Sequence, residues 1–542
     1  MLWLIAIIAI FSTCQCENPQ VSSPRGQYQG SLLKNSFGKT IFAFRGIRYA
    51  EAPIKELRFK PPVPAKKHEG VYNATEDAPA CPQPEIGPTN EDCLFLNVYS
   101  TKLPEGNENP KRPVIVFIHQ GDFYQYTGRS DWLGPQYLLN KDIVLVTFNY
   151  RLGTLGFLST GDKEAPGNNG LKDQVEALKW TKENIESFGG DPNNITLAGN
   201  GAGGHSVSLH LVSPLSKGLF HKAIISSSSG FGQYTVERNQ LDLAKRQAKA
   251  VGCPDDTSVN IVKCLRGKPA NELAKSVNKL FEFGSDPILL WKPVIEDVGG
   301  QERFLTDHPV KLVLQGKFQE VPILSGITSD QFGDSALAIT RNSERLRQLD
   351  EEWQKLAPIV LLYEGNPQSN EISKQLRAFY LGDKKLDNST LVPLTNLYND
   401  ARGGFAVDRG VKLISAKLPQ SVYYYLFSYK GQYSFQRPPG NNPSVGPVIY
   451  DDLIYLFYIP KISPEIDVHH SHFKIVDKST TLWSNFVTYG RPIIRLCGKF
   501  NYEPWHPYNH TSLYYFDIND VVALRKGLRA DRYAEWEKLF PL

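Results

Sequence analysis

The chain has 542 residues, with 60 basic and 56 acidic side chains and a formal net charge of +4. Hydrophobic residues make up 41% and charged residues 21%, the mix of an ordinary globular protein. So even a charge balance gives no support for nucleic-acid binding, which usually shows a strongly basic face. The length alone suggests three or more domains, although a large α/β fold can absorb it as one unit.

Residues 1–16, MLWLIAIIAIFSTCQC, carry no charged side chain. Their apolar run is shorter than the roughly 20 residues that cross a bilayer, and it fits the core of a secretory signal followed by small or polar residues. No later run approaches membrane-spanning length, and the C-terminal residues form no apolar anchor. The expectation is a secreted, extracellular protein with no transmembrane anchor, divided into a signal peptide at 1–16 and a single domain over 17–542. Of the seven cysteines, Cys14 and Cys16 fall at the signal. Cys81 with Cys93, and Cys253 with Cys264, form two close pairs, and Cys497 is left over and expected to be free. Such usage suits an oxidising compartment, and each short loop closed by a disulfide is worth about 3 kcal/mol on the chain-entropy model. Four sequons agree with secretion: Asn73-Ala-Thr, Asn194-Ile-Thr, Asn388-Ser-Thr and Asn509-His-Thr.

Along the chain, Pro113–His119 and Asp142–Phe148 are short runs rich in Val and Ile, predicting strands buried on both faces. Asn169–Phe188 reads as an amphipathic helix, with Leu171, Val175, Leu178 and Ile185 at helical spacing and Gly189-Gly190 ending it. Asn194–Ala198 is the next strand. Gly199–Gly203 turns sharply, Gly204–Leu211 begins another helix, and Ala223–Ser226 is a further strand. This βαβ succession implies an α/β fold with a large, mostly parallel central sheet covered by helices. The second half is less regular: Ser343–Leu356 predicts a charged helix with a solvated face, Val422–Ser428 a strand, and Thr480–Tyr489 an apolar-faced helix.

The turn at Gly199-Asn-Gly-Ala-Gly203 has the layout of a nucleophile elbow, G-x-S-x-G, but its centre is Gly201, which has no side chain. Around it the chain resembles the carboxylesterase and cholinesterase family, the large esterases of the α/β-hydrolase fold. The resemblance is carried by Phe44-Arg-Gly-Ile-Arg-Tyr-Ala-Glu-Ala-Pro53 with Leu57-Arg-Phe59, by Glu91-Asp-Cys-Leu-Phe-Leu-Asn-Val98, and by Asn149-Tyr-Arg-Leu-Gly-Thr-Leu-Gly-Phe-Leu158. Gly167-Asn-Asn-Gly-Leu-Lys-Asp-Gln174 and Phe188-Gly-Gly-Asp-Pro192 extend it. It implies structural ion pairs Arg58–Glu91 and Arg151–Asp173, and it agrees with the cysteine pairing above.

The family's triad is Ser, Glu and His. Carried over position by position, the serine falls on Gly201. The acid falls on Gln331, in Gly326-Ile-Thr-Ser-Asp-Gln-Phe332. The base falls on Ile449, in Gly446-Pro-Val-Ile-Tyr-Asp-Asp-Leu453. The oxyanion-hole block H-G-G-G-F reads His119-Gln-Gly-Asp-Phe123, so Gly121 keeps one donor position and Asp122 occupies the other. A carboxylate there opposes a developing oxyanion by about 4 kcal/mol at 4 Å and an effective dielectric of 20. Losing the nucleophile or base costs about a millionfold in turnover, and further losses add little because the members act as one unit. An inactive member is therefore expected. Ser206, Ser226–Ser229, His119 and His205 read as core or rim residues. Pairing Asp122 with Asp451 or Asp452 for acid/base work is the minor alternative, and the cluster His469-His470-Ser-His472 falls short of a metal site. No metal and no cofactor are called for.

Two roles remain: a binding or adhesion module for a cell-surface or extracellular protein, as the family's known inactive adhesion ligands imply, with homodimerisation among its expectations; or a carrier for a small hydrophobic ligand in the former gorge. A hydrolase with a non-standard site is the third. The short Cys81–Cys93 loop lacks the tryptophan that binds choline in cholinesterases, which counts against choline ligands. Restoring Gly201→Ser, Gln331→Glu, Ile449→His and Asp122→Gly together is expected to return partial esterase activity.

Overall fold

A computed structural model describes residues 18–84, 86–297, 302–418, 421–436, 446–492 and 504–542. The proposed signal segment with Cys14 and Cys16, and Cys497, expected to be free, lie outside the described residues.

The strands are β1 (Gln20–Ser23), β2 (Gly26–Gln29), β3 (Ser31–Lys34), β4 (Thr40–Arg48), β5 (Val71–Asn73), β6 (Phe95–Ser100) and β7 (Arg112–Ile118). They continue with β8 (Val144–Phe148), β9 (Gly190–Asn200), β10 (Lys222–Ser226), β11 (Ile323–Thr328), β12 (Val422–Phe427), β13 (Tyr514–Ile518) and β14 (Ala523–Lys526). Eleven of them form one sheet in the order β14-β13-β12-β11-β10-β9-β7-β8-β6-β4-β3. The stretch from β8 to β13 is parallel throughout, and the antiparallel pairs sit at the two edges. The mostly parallel sheet is thus as the apolar runs predict, because strands covered on both faces need no alternation. Two buried clusters show those faces. Val114, Val116 and Ile118 of β7 pack into one, while Ile115 and Phe117 pack into the other.

Where the helices differ from expectation, packing gives the reason. The helix after the turn, α2 (Ala202–Val212) in a count that starts with α1 (Asn169–Asn184), begins two residues earlier than read, because the Gly201 carbonyl already accepts from the His205 N–H at 2.9 Å. The Asn169–Phe188 helix tightens into a 3-10 turn at Ile185–Phe188 and ends on Gly189 at φ +84°, a left-handed position that glycine takes at no steric cost. The single helix expected over Ser343–Leu356 is two, Ser343–Glu351 and Trp353–Val360. The break turns Trp353 inward, where its indole N–H donates to the Ser373 carbonyl at 2.8 Å. The solvated face is present, with Arg347 and Glu344 exposed and paired, but Leu346 and Leu349 are buried beneath it. The apolar-faced helix expected over Thr480–Tyr489 runs from Phe473 to Tyr489, starting seven residues earlier than predicted.

Both ion pairs implied by the family blocks are formed. Arg151 donates to both oxygens of Asp173, at 2.8 and 2.6 Å, and its remaining donor reaches the Lys60 carbonyl at 2.7 Å. Arg58 makes a two-pronged contact with Glu91 and reaches the Arg266 carbonyl at 2.9 Å. Two further buried pairs went unread in the sequence: Lys172 with Glu296, and Arg402 with Asp286. Cys81–Cys93 and Cys253–Cys264 are disulfides.

Removing one partner of a buried pair strands a charge, whereas an exposed pair is worth little. Arg151→Ala is therefore expected to lower unfolding stability by about 3–5 kcal/mol, read from urea midpoints, while Glu344→Ala changes it by less than about 1 kcal/mol.

Candidate functional site

The strand β9 ends at Asn200 and α2 starts at Ala202, so Gly201 alone makes the turn, at φ +56° and ψ −120°. The flanking glycines explain how so sharp a turn fits. A Cβ on Gly199 would lie 2.3 Å from the Gly203 carbonyl carbon, and one on Gly203 would lie 2.1 Å from the Ile118 oxygen of β7. Strand, turn and helix cross with no room for side chains at either position. The Gly201 N–H donates to the Ser226 carbonyl of β10 at 2.9 Å. The elbow is intact as backbone, and only the apex atom is missing.

The space above that apex is filled by Tyr450, a residue that sequence reasoning passed over. A Cβ added at Gly201 would fall 2.7 Å from Tyr450 Cε1 and 2.8 Å from its hydroxyl oxygen, closer than real Cβ contacts come. The Gly121 backbone N–H, at the retained oxyanion-hole donor position, faces the same phenol oxygen and pulls its pKa down against burial. The hydroxyl in turn donates to Asp122 Oδ1 at 3.4 Å. One side chain thus covers the nucleophile position and stands before the donor that would face a substrate oxyanion. Burial, reinforced by Asp122, raises the phenol pKa well above its ordinary value, so Tyr450 stays a donor at neutral pH.

Both partners hold left-handed backbone, Tyr450 at φ +76° and Asp122 at φ +53°. Such positions cost non-glycine residues about 1–3 kcal/mol each and persist only where the surroundings impose them. The imposing contacts are visible. Asp451 Oδ2 accepts from Ser434 Oγ at 2.9 Å and from the Val448 N–H at 3.0 Å, and Oδ1 accepts from the Phe435 N–H at 2.8 Å. Asn200 Nδ2 donates to Asp452 at 3.0 and 3.1 Å, tying the strand before the turn to the segment after Tyr450. Tyr126 and Phe435 pack edge-on around the Tyr450 ring, with centroids 6.1 and 5.6 Å away.

The remaining triad positions lie beside this plug and carry no acid or base. Ile449 is buried, and its N–H donates to the Gln331 carbonyl at 2.9 Å. Gln331 is fully buried, and neither amide atom finds a partner among the described residues. Gly403, in the π-helical turn Asp400–Gly404, approaches so closely that a Cβ there would meet Gln331 Nε2 at 2.9 Å. The same turn aims Arg402 at Asp286, at 2.8 and 2.9 Å, with its guanidinium over the Tyr398 ring at 4.1 Å. Asp122 keeps part of its surface accessible, yet protein atoms surround most of the carboxyl. That burial pushes its pKa up to about 6, against the pull of Arg402 and Tyr450. Asp122 is not paired with Asp451 or Asp452 for acid/base work, since those two spend their oxygens on Ser434, Phe435, Val448 and Asn200.

The other candidates are structural. Ser206 Oγ donates to the Ala202 carbonyl at 2.9 Å and accepts from Gln174 at 3.2 Å, inside the helix packing. His119 stacks on Tyr150, with centroids 4.3 Å apart, and His205 on Tyr234, 5.1 Å apart. Burial lowers their pKa values to about 4 and about 3. A serine–histidine contact does exist, with Ser216 Oγ 2.6 Å from His210 Nδ1. Both residues are fully buried at the far end of α2, His210 in its last turn and Ser216 just beyond it, away from the sharp turn at Gly201. The His470 and His472 rings lie 5.0 Å apart, and among the described residues no cluster of three or more His, Cys, Asp or Glu side chains is arranged to hold a metal ion. At the sequons, Asn73 and Asn388 are exposed. Asn194 accepts from Lys222, and Asn509 accepts from the Thr511 and Ser512 N–H groups.

The raised Asp122 pKa has a definite sign. Between about pH 4 and about pH 6 the folded state holds a proton that the unfolded chain releases, so this group's contribution to stability falls as pH rises through that window. Asp122→Asn, which tolerates left-handed backbone, is expected to match the parent near pH 4. Near pH 7 it gains on the order of 2–3 kcal/mol, read from denaturant midpoints at the two pH values.

Four comparisons bear on nearly the whole chain. Esterase FE4 of Myzus persicae is 37% identical over 522 residues, covering 94% of this chain and 90% of that protein. Human neuroligin-2 is 30% identical over 584 residues, covering 96% of this chain and 68% of its own. The crystal structure of juvenile hormone esterase from Manduca sexta, with OTFP covalently attached, superimposes with a TM-score of 0.84 at 26% identity, over 97% of this chain and 100% of that one. The model of the carboxylesterase family matches residues 17–536. With the elbow, the parallel sheet and these matches in hand, the chain belongs to the carboxylesterase family.

Proposed function

We propose that this protein is a non-catalytic carboxylesterase-family member that works by binding, as an adhesion-type module for an extracellular or cell-surface protein. The observation that carries the reading is the Tyr450 side chain lying in the space of the missing nucleophile, with its hydroxyl facing the Gly121 N–H and donating to Asp122. Acyl transfer needs an attacking atom, a base to activate it and free donors for the oxyanion. Here the first position holds Gly201, the second Ile449, and the third is occupied from within. The family contains both esterases and inactive adhesion ligands, and the similarity to neuroligin-2 runs along 96% of this chain. A secreted, signal-bearing and glycosylated form accords with this role, and among the described residues no helix is long and apolar enough to cross a membrane. The carrier reading, with a hydrophobic guest in the former gorge, loses its innermost space to the same tyrosine.

The restored variant needs revision on this geometry. Serine at 201 would place its Cβ against Tyr450, so the four-residue restoration leaves the apex blocked and the donor taken.

Two measurements test the proposal. The purified chain is expected to turn over phenyl and naphthyl esters no faster than buffer and to resist labelling by a fluorophosphonate, whereas a turnover of about 1 per second or more, in the ordinary enzyme range, contradicts it. The four-residue restoration, Gly201→Ser with Gln331→Glu, Ile449→His and Asp122→Gly, is expected to stay unlabelled until Tyr450→Gly is added. Labelling of the four-residue variant would remove Tyr450 from the account.

A further inference from the structure

A second, unrelated feature lies at the other end of α2, about 16 Å from Gly201 at 1.5 Å per residue. There a cavity of about 660 Å³ opens between the segment after α2 and the loop leading into β11, within the range of small-molecule sites. Its floor is apolar: Leu211, Val212, Phe220 and Leu312 line it and are each at most 5% exposed, with Phe318 and Val321 on the wall. Its walls are fixed by one side chain. Gln319 accepts from the Gly218 N–H at 3.0 Å and donates to the His210 carbonyl at 3.1 Å, while its own N–H donates to the Leu211 carbonyl at 2.8 Å. The two lips are therefore stapled together.

The mouth carries charge. Lys217 and Lys317, one on each lip, are exposed and line the cavity. Neither has an ion-pair partner among the described residues. Lys182 reaches the Gly218 carbonyl at 2.6 Å and adds to the positive field. Glu320 is the one carboxylate lining the cavity. An apolar well with two free ammonium groups at its rim is complementary to a molecule with a hydrocarbon tail and a single anionic head.

We propose that this cavity binds a single-chain anionic amphiphile, a long-chain carboxylate, with its tail against Leu211, Phe220 and Leu312 and its head between Lys217 and Lys317. A neutral ester of the same chain meets the same floor without the charge contact. The corresponding amine meets repulsion. The site is distinct from the elbow and does not rest on the reading of that elbow as inactive.

The test uses the full secreted chain and the fluorescence of dansylated undecanoate, displaced by oleate, methyl oleate or oleylamine. Oleate is expected to displace the probe about tenfold better than the other two. The double charge reversal of exposed residues, Lys217→Glu with Lys317→Glu, is expected to weaken oleate about tenfold without lowering the melting temperature. Val321→Trp, which fills the well, is expected to abolish probe binding. Equal potency of methyl oleate, undiminished binding in either variant, or no binding below the micelle threshold overturns the proposal. Because the charge reversal touches only exposed side chains, it decides the matter even where Val321→Trp folds poorly.

Discussion

The contact between the Tyr450 ring and the bare apex at Gly201 is the constraint around which the site is organised. The two positions depend on each other. Gly201 leaves an empty volume at a water-excluded junction, and a void there forfeits packing contacts. Tyr450 fills it, at the expense of left-handed backbone. Its hydroxyl faces the Gly121 N–H and donates a hydrogen bond to Asp122. A buried donor left unmade costs about 1–3 kcal/mol, so this closed chain of hydrogen bonds offsets part of the strain. Asp122, an obstacle to catalysis, serves as the acceptor that the plug needs.

The surrounding scaffold keeps the close crossings and buried ion pairs that position the turn. Gly199 and Gly203 still allow strand, turn and helix to cross within 2.1–2.3 Å of where a Cβ would stand. The buried pairs Arg151–Asp173 and Arg58–Glu91 still lock the loops beside the sheet. Such pairs report how badly a half-broken pair behaves more than they report net stability. Gln331 shows the same economy. It keeps the length of a carboxylate side chain and fills the acid's place, yet its amide atoms find no partner among the described residues. Shape is preserved at this position although the carboxylate is absent, as expected if the fold is needed as a surface.

How much of this was legible in the sequence depended on distance along the chain. Strands such as β7 and β8 were readable because a parallel sheet covered on both faces asks for uninterrupted Val, Ile and Phe. The elbow was readable because its glycines answer a local steric demand. The disulfides were read from the close spacing of the cysteines, the ion pairs Arg58–Glu91 and Arg151–Asp173 were reached through the resemblance to the family, and the structure forms them all. Tyr450 escaped notice because nothing periodic marks it. It matters only through a residue far away in the chain, Gly201, and through a backbone angle that sequence patterns do not display. A partial signal was present, since Asp122 stands where the family has glycine. A side chain on left-handed backbone asks what holds it there. Arg402 and Asp286 were hidden for a similar reason: the π-helical turn that aims the arginine inward has no signature in hydrophobic spacing. The helix over Ser343–Leu356 split because one indole had a buried partner to reach.

The central claim is that Tyr450 and Gly201 share one volume, and a double-mutant cycle on stability measures it directly. Gly201→Ala in the parent should carry both the left-handed strain and the clash, whereas in a Tyr450→Ala background it should carry only the strain. The account predicts a coupling of about 1–3 kcal/mol between the two substitutions, read from denaturant unfolding of the four proteins. Additivity within about 0.5 kcal/mol would mean that the two residues do not meet, and the account would be wrong.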